Sequence, residues 1–96
     1  MPSDAIHRGL ADPQIRGLLG GRLRAYREAR DLTLAELAKL TGLSALTLQK
    51  AETGRNFTVR TLLRVLRALG RLEQLDAFFP PVARSPLDLL EPQRGD

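Results

Sequence analysis

The 96-residue sequence contains no cysteine and no tryptophan, a single histidine, and few aromatic residues, which make up 4% of the chain. Without cysteine there is no disulfide framework, so nothing in the sequence points to an oxidising compartment. Zinc sites built from Cys and His, and nucleophilic triads that need a His, would all depend on His7. Because His7 lies in a polar N-terminal stretch, we expect a solvated side chain, no metal site, no cofactor and no catalytic residue.

Long apolar runs are also missing. No segment approaches the roughly 18 apolar residues of a membrane-spanning helix, and the N-terminus lacks the basic-then-apolar order of a signal peptide. The Gly20-Gly21 pair has no Lys-Ser or Lys-Thr after it and is therefore no phosphate-binding loop. These absences argue against an enzyme and against a membrane partner, and they predict a cytoplasmic protein.

Leucine and arginine are abundant instead. Twenty residues are Leu, and Arg supplies thirteen of the fifteen basic residues, for a net charge of +4. The charge is uneven, because residues 1–70 hold twelve Lys or Arg against six Asp or Glu, whereas residues 71–96 hold three Arg against five acids. The basic part fits a polyanionic partner, although charge alone equally allows arginines that serve only solubility.

Apolar residues at helical spacing, with capping residues before them and glycines after them, predict five helices and an all-α fold. The predicted helices start at Asp12-Pro13, at the Thr33 capping box, at Ser44, at Thr58 and at Arg71, and they end near Arg30, Gly42, Gly54, Gly70 and Phe79. The residues predicted to face inward are Leu37, Ala38 and Thr41 in the second helix and Leu48 in the third. In the fourth helix they are Val59, Leu62, Leu63, Leu66 and Leu69, and in the fifth Leu72, Leu75 and Phe79. A flexible leader over 1–12, a helical domain over 13–70 and a C-terminal helix with a Pro-containing tail over 71–96 complete the predicted organisation.

The second and third predicted helices are joined by a tight Gly-containing turn, which is the spacing of a helix-turn-helix motif. From about Leu19 to Gly70 the sequence resembles the Xre/Cro-repressor family of DNA-binding domains. The matching blocks are LGGRLR (19–24), LTLAELA (32–38), GLS (42–44), ETGR (52–55) and TLLRVLRALG (61–70). The resemblance implies a compact five-helix lambda-repressor-like domain with a short C-terminal dimerisation segment. It also implies a nucleoid-associated homodimeric repressor on a palindromic operator in double-stranded DNA.

In this family the third helix reads bases in the major groove. The residues that the resemblance places there are Ser44, Ala45, Leu46, Gln49 and Lys50. Lys50 can donate to guanine, Gln49 can pair with adenine, and Ala45 or Leu46 can touch a thymine methyl. The alternatives are a solvated helix face for Gln49 and Lys50, and packing against a partner for Leu46.

Phosphate contacts are expected around the same helix. The candidates are the backbone amides of Thr33 and Leu34 together with Arg22, Thr47, Arg55, Asn56 and Arg60. Leu34 stands where the family commonly has a Gln that clamps the DNA backbone, which Leu cannot do. The resemblance further implies that Arg27 and Glu52 form a partly buried, structural ion pair between the first and third helices.

The C-terminal part, Arg71 to Leu90, is similar to the tails of HipB-like antitoxins. This resemblance implies an autoregulatory antitoxin of a type II toxin–antitoxin pair, with a HipA-type kinase toxin as its partner. A 96-residue monomer has difficulty burying all the apolar residues of this part, so we expect a dimer or partner surface. That surface comprises Leu72, Leu75, Phe78, Phe79 and Val82. The alternatives are a protein that mainly neutralises the toxin, a stand-alone or phage-type Xre regulator, and a scaffold that contacts only protein.

Overall fold

The computed structural model describes residues 5–82, and this part of the chain is all helical, with five α-helices. They are α1 (Asp12–Ala29), α2 (Leu34–Thr41), α3 (Ala45–Glu52), α4 (Val59–Ala68) and α5 (Gln74–Phe78). The predicted all-α, five-helix fold is confirmed. None of the helices in the described part is long and apolar enough to cross a membrane.

Side-chain caps begin the three central helices. The Thr33 hydroxyl accepts the Glu36 N–H at 3.0 Å, and the Glu36 carboxylate accepts the Thr33 N–H at 2.8 Å, which completes the predicted capping box of α2. Ser44 and Thr58 play the same part for α3 and α4, since each hydroxyl accepts an N–H three residues further on. Local sequence therefore determines where these helices begin.

The start of α1 differs from the prediction that Asp12 caps the helix and Pro13 begins it. The helix begins at Asp12 itself, and the preceding residue, Ala11, has no side chain that can accept a hydrogen bond. The Gln14 side chain instead accepts the Ala11 N–H at 2.8 Å. Asp12 then lies in the first turn, where a negative charge interacts favourably with the helix dipole.

Four helices and the turn between α2 and α3 contribute the apolar core. Its buried members are Leu23, Leu37, Leu43, Leu48, Val65, Leu66 and Leu69. The predicted inward face of α4 is wrong at its first residue, because Val59 is 70% exposed. Thr61 is buried instead, and its hydroxyl makes a hydrogen bond of 3.1 Å with that of Thr58, which satisfies the buried polar group.

The predicted fifth helix is shorter than expected, and its predicted inward face is only partly correct. Leu72 and Leu75 pack against the core, but Phe79 is exposed just beyond the end of α5. The Arg71 guanidinium lies 3.9 Å from the centroid of the Tyr26 ring. This cation–π contact ties the connection between α4 and α5 to α1.

The backbones of α1 and α3 approach closely at Gly20. A Cβ atom at this position would lie against the Ala51 carbonyl oxygen and 2.7 Å from that of Glu52, which leaves no room for a side chain. Gly54, in the left-handed conformation just after α3, rests in the same way against the backbone of Gly17. Glycine is therefore required at Gly20 for packing, not for flexibility.

Gly20→Ala is expected to lower the free energy of unfolding by about 1–3 kcal/mol, because the added methyl group must push α1 away from α3. The neighbouring Gly21→Ala is the matched control, since nothing lies within 4 Å of a Cβ there. Its higher helix propensity should raise stability by up to about 1 kcal/mol. Urea unfolding of the two variants measures both changes, and equal effects would contradict the close approach.

Candidate nucleic-acid interface

The turn between α2 and α3 is held by hydrogen bonds on both sides. Gly42 adopts a left-handed conformation with φ of 75°, and its N–H donates to the Ala38 carbonyl at 2.9 Å. The buried Thr41 hydroxyl donates to the Leu37 carbonyl at 2.9 Å and accepts the Leu43 N–H at 3.2 Å. These bonds fix the angle at which α3 leaves α2.

The helix α3 divides into a buried and an exposed side. Leu48, Ala51 and Glu52 are buried against the rest of the domain. The residues that were predicted to contact bases lie away from this buried side: Ala45, Leu46 and the cap Ser44 are exposed, and Gln49 and Lys50 are half-buried. Leu46 is 61% exposed, as its position predicted. The structure thus brings all five predicted residues to one outward side of a helix that is about 12 Å long.

Two hydroxyl groups at the start of α3 are partly occupied by the helix cap. The Ser44 hydroxyl accepts the Thr47 N–H at 3.0 Å and makes a hydrogen bond of 2.9 Å with the Thr47 Oγ1. A hydroxyl has one proton to donate, so the bond between the two hydroxyls engages the proton of one of them, and only the other can donate to an external anion.

Arg27 and Glu52 form the buried ion pair that the resemblance implies. The Arg27 Nε lies 2.7 Å from Oε2 of Glu52, and Nη2 lies 3.0 Å from Oε1, so the pair is bidentate. Arg27 Nη1 also donates to the Leu32 carbonyl at 2.7 Å, which ties the connection between α1 and α2 to the same centre.

The hydrogen bond with Glu52 raises the pKa of Arg27 despite the opposing effect of burial. A raised pKa means that the charged form is favoured by folding, and this contribution is present at every pH below arginine's ordinary pKa. The ion pair therefore does not depend on an arginine titration near neutral pH.

Three other arginines donate to carbonyl groups at the ends of helices. Arg16 reaches the Gly54 carbonyl at 3.4 Å, Arg30 reaches that of Leu69 at 2.8 Å, and Arg64 reaches that of Thr41 at 3.0 Å. The last carbonyls of a helix have no partner within it, so these contacts satisfy them. Part of the positive charge that the sequence assigned to a polyanion thus has a structural role.

The predicted phosphate contacts Arg55 and Arg60 differ from these three arginines. Both are exposed, and neither makes a side-chain hydrogen bond or ion pair with residues 5–82. The backbone amides of Arg55 and Asn56 donate to the Lys50 carbonyl at 2.8 and 3.4 Å, which winds this loop against the end of α3. Arg60 follows in the first turn of α4.

The other predicted phosphate contacts are less well placed. The contact of the Thr33 amide stays a prediction, although this N–H already donates to the Glu36 carboxylate in the capping box. Leu34 packs its side chain against the core, but its amide lies in the first turn of α2, where helical N–H groups lack internal partners. Arg22 lines an apolar pocket between α1, α4 and α5, of which no α3 residue forms a part.

A comparison with protein families finds a match for most of this chain. Residues 18–78, about two thirds of the chain, match the model of a family described as a helix-turn-helix domain. The chain belongs to this family. The assignment is consistent with the predicted Xre-like type, and such domains are those of DNA-binding regulators. A comparison with curated proteins finds no significant match.

The predicted partner surface of this helix-turn-helix protein is partly used within the domain itself. Leu72 and Leu75 pack against the core, whereas Phe78, Phe79 and Val82 are 68%, 71% and 76% exposed. The two Phe rings contact each other edge to face, with centroids 4.5 Å apart. The remainder of the predicted antitoxin-like tail, from residue 83 to Leu90, lies outside the described residues.

Arg27→Met is expected to lower the free energy of unfolding by about 3–5 kcal/mol, because the buried Glu52 carboxylate loses its partner. Arg24→Met, which removes an exposed pair with Glu28, should cost less than about 1 kcal/mol. The double variant Arg27→Met/Glu52→Leu should recover much of the loss, since it leaves no unpaired charge. Urea unfolding measures all three, and purely additive losses in the double variant would show that the two residues do not act as a pair.

Proposed function

We propose that this helix-turn-helix protein is a homodimeric transcriptional repressor that binds a palindromic operator in double-stranded DNA, at the nucleoid. The observation that carries the proposal is the outward side of α3, which bears Ala45, Leu46, Gln49 and Lys50, together with the exposed Arg55 in the loop after α3 and the exposed Arg60 at the start of α4. A short helix of this size fits the major groove of DNA, which is about 12 Å wide. A repressor of this kind blocks a promoter that overlaps its operator.

The side chains on α3 suit direct reading of bases. Lys50 donates to guanine, Gln49 forms two hydrogen bonds with adenine, and the exposed Leu46 contacts a thymine methyl group. Leu46 is 61% exposed, which leaves its side chain available for an apolar contact in the groove. The Ser44 hydroxyl is mainly a helix cap and contributes as an acceptor.

Phosphate contacts would lie around this helix. Arg55 and Arg60 supply charge, Asn56 and Thr47 supply polar side chains, and the Leu34 amide supplies the N-terminus of α2. Arg22 would be a more peripheral contact, because it lies at the pocket beside α5. These groups hold the recognition helix in register on the duplex without reading its sequence.

Dimerisation would use Phe78, Phe79 and Val82, which form the largest group of exposed apolar side chains near the end of the described chain. Exposed clusters of this kind mark interaction surfaces, because burial between two subunits removes them from water. A two-fold dimer presents two copies of α3 and therefore binds a palindrome. An antitoxin role with a HipA-type kinase remains a prediction from the resemblance of residues 71–90.

Selection of bound duplexes from a random pool, at stepped salt concentrations, tests the proposal. We expect a palindrome whose half-site centres lie about 34 Å apart, or a multiple of that distance, because each subunit places α3 in one major groove on the same side of the duplex. Retention should weaken steeply with salt, because binding releases counterions from the phosphates. Retention without a consensus would contradict sequence-specific reading.

Charge reversal provides the control for this selection. Arg55→Glu and Arg60→Glu should each weaken binding on all duplexes and lower the slope of log K against log salt by about one, as expected for a lost phosphate contact. Arg24→Glu changes the net charge equally, but it lies on α1 in an exposed pair with Glu28. If all three reversals weaken binding equally, attraction is due to overall charge. If none does, the protein is a scaffold that contacts only protein.

The dimer surface has its own test. Phe78→Ser/Phe79→Ser should convert the dimer to a monomer, because it removes both exposed rings from the interface. It should also weaken operator binding, because a monomer binds one half-site without the contribution of a second, linked subunit. Val59→Ser, which changes an equally exposed side chain on α4, is the control. Sedimentation equilibrium measures the mass, and a dimer in the double variant would place the interface elsewhere.

A further inference from the structure

A groove with an apolar floor and a cationic rim lies between α2 and α4. It has a volume of about 550 Å³, and its lining includes Leu40 and Leu63 together with Arg60, Arg64 and Arg67. Leu40 is 59% exposed, although a leucine on a helix that packs in the core would normally be turned inward. Arg64 donates to the Thr41 carbonyl, but Arg60 and Arg67 form no ion pair within residues 5–82.

The groove leads towards the end of the described chain. A second concavity shares Leu63 and Arg67 with it and continues to Leu75 and Phe79. From Arg67 to Arg60 the groove follows α4 for about 10 Å, at 1.5 Å per residue. Phe79, just beyond the end of α5, therefore lies at the concavity that adjoins the groove.

The sequence beyond Val82 has the complementary chemistry. Residues 85–91 read SPLDLLE, with three leucines and two carboxylates and no basic residue. These residues lie outside the described part of the chain. At helical spacing Leu87 and Leu90 share one side, and Asp88 and Glu91 lie next to it. Leu87 lies five positions after Val82, which allows a span of up to about 17 Å between their Cα atoms.

We propose that residues 85–91 dock in the groove between α2 and α4 of the same chain. The leucines cover Leu40 and Leu63, and the carboxylates approach Arg60 and Arg67. An occupant of this groove needs both apolar and acidic side chains, because a DNA phosphate would attract the arginines but would leave the apolar floor exposed to water. The short connection favours the same chain, since it gives the segment a high effective concentration at the groove.

Docking would also regulate DNA binding, and this consequence rests on the proposed function. Arg60 lines the groove and is one of the proposed phosphate contacts. A carboxylate beside Arg60 would neutralise it and would repel phosphate, so docking and DNA binding would oppose each other. Removal of the docked segment should therefore tighten DNA binding.

The absence of cysteine allows a direct measurement of docking. In the Leu40→Cys variant the introduced thiol is the only one in the chain, and its rate of alkylation by a small reagent reports exposure. If about 90% of molecules are docked, alkylation slows about tenfold, because only undocked molecules expose the thiol. Adding Leu87→Ser/Leu90→Ser should restore the fast rate. The Leu46→Cys variant, equally exposed but on α3, is the control and should be unaffected by the tail substitutions.

Each outcome decides the proposal. Equal rates for the Leu40→Cys variant with and without the tail substitutions overturn docking. Protection that disappears on dilution shows that the tail of a second copy occupies the groove, which overturns docking within one chain. Arg67→Glu should also restore the fast rate, since it removes one of the partners of the carboxylates. The rates are measured without DNA, so a failure of DNA binding with protection intact would contradict the proposed function and leave docking standing.

Discussion

The position of the recognition helix depends on one buried ion pair. Arg27 donates hydrogen bonds to both carboxylate oxygens of Glu52 on α3, and it also donates to the Leu32 carbonyl before α2. A single side chain thus connects α1, the recognition helix and the connection that leads into the motif. Two apolar side chains would hold α3 against α1 as firmly. A bidentate hydrogen-bonded pair, however, has one geometry, whereas apolar contacts allow the two helices to shift relative to each other.

The close approach at Gly20 is what makes this geometry possible. The backbones of α1 and α3 approach closely at Gly20, and the backbone of Gly54, just after α3, lies against that of Gly17. The two helices are therefore near enough for both Nε and Nη2 of Arg27 to donate to Glu52. The contact and the ion pair therefore depend on each other. A methyl group at Gly20 would move α3, and with it every side chain that is proposed to read DNA.

The features predicted correctly from the sequence are those determined over a few residues. The Thr33 capping box, the Ser44 and Thr58 caps and the left-handed Gly42 each involve neighbours in the chain, so the starts of α2, α3 and α4 could be read directly. Contacts between distant residues could not. The need for glycine at Gly20 could not be predicted, because only the fold shows that carbonyl oxygens of α3 lie against this position.

The same limit applies to charge and to exposure. The sequence cannot distinguish an arginine that donates to a carbonyl at a helix end from one whose guanidinium is available to a phosphate. Arg64 is of the first kind and Arg60 of the second, yet they lie four residues apart on the same helix. Val59 was assigned to the core because it fits an apolar stripe, yet the packing of α2 on α4 turns it to the solvent and buries Thr61 instead. Helical periodicity predicts which residues share a side, but the neighbouring helix decides how far that side is buried.

The capping box of α2 has a cost for DNA binding. Glu36 stabilises the helix start by accepting the Thr33 N–H, but it also places a negative charge where a phosphate would otherwise approach the helix. With Leu34 turned into the core, the N-terminus of α2 offers only backbone amides, and these face a neighbouring carboxylate. Under the proposed function, the attraction of phosphate would then come mainly from Arg55 and Arg60. Because Arg60 also lines the groove between α2 and α4, a negative charge that docks there would act directly on one of the proposed phosphate contacts.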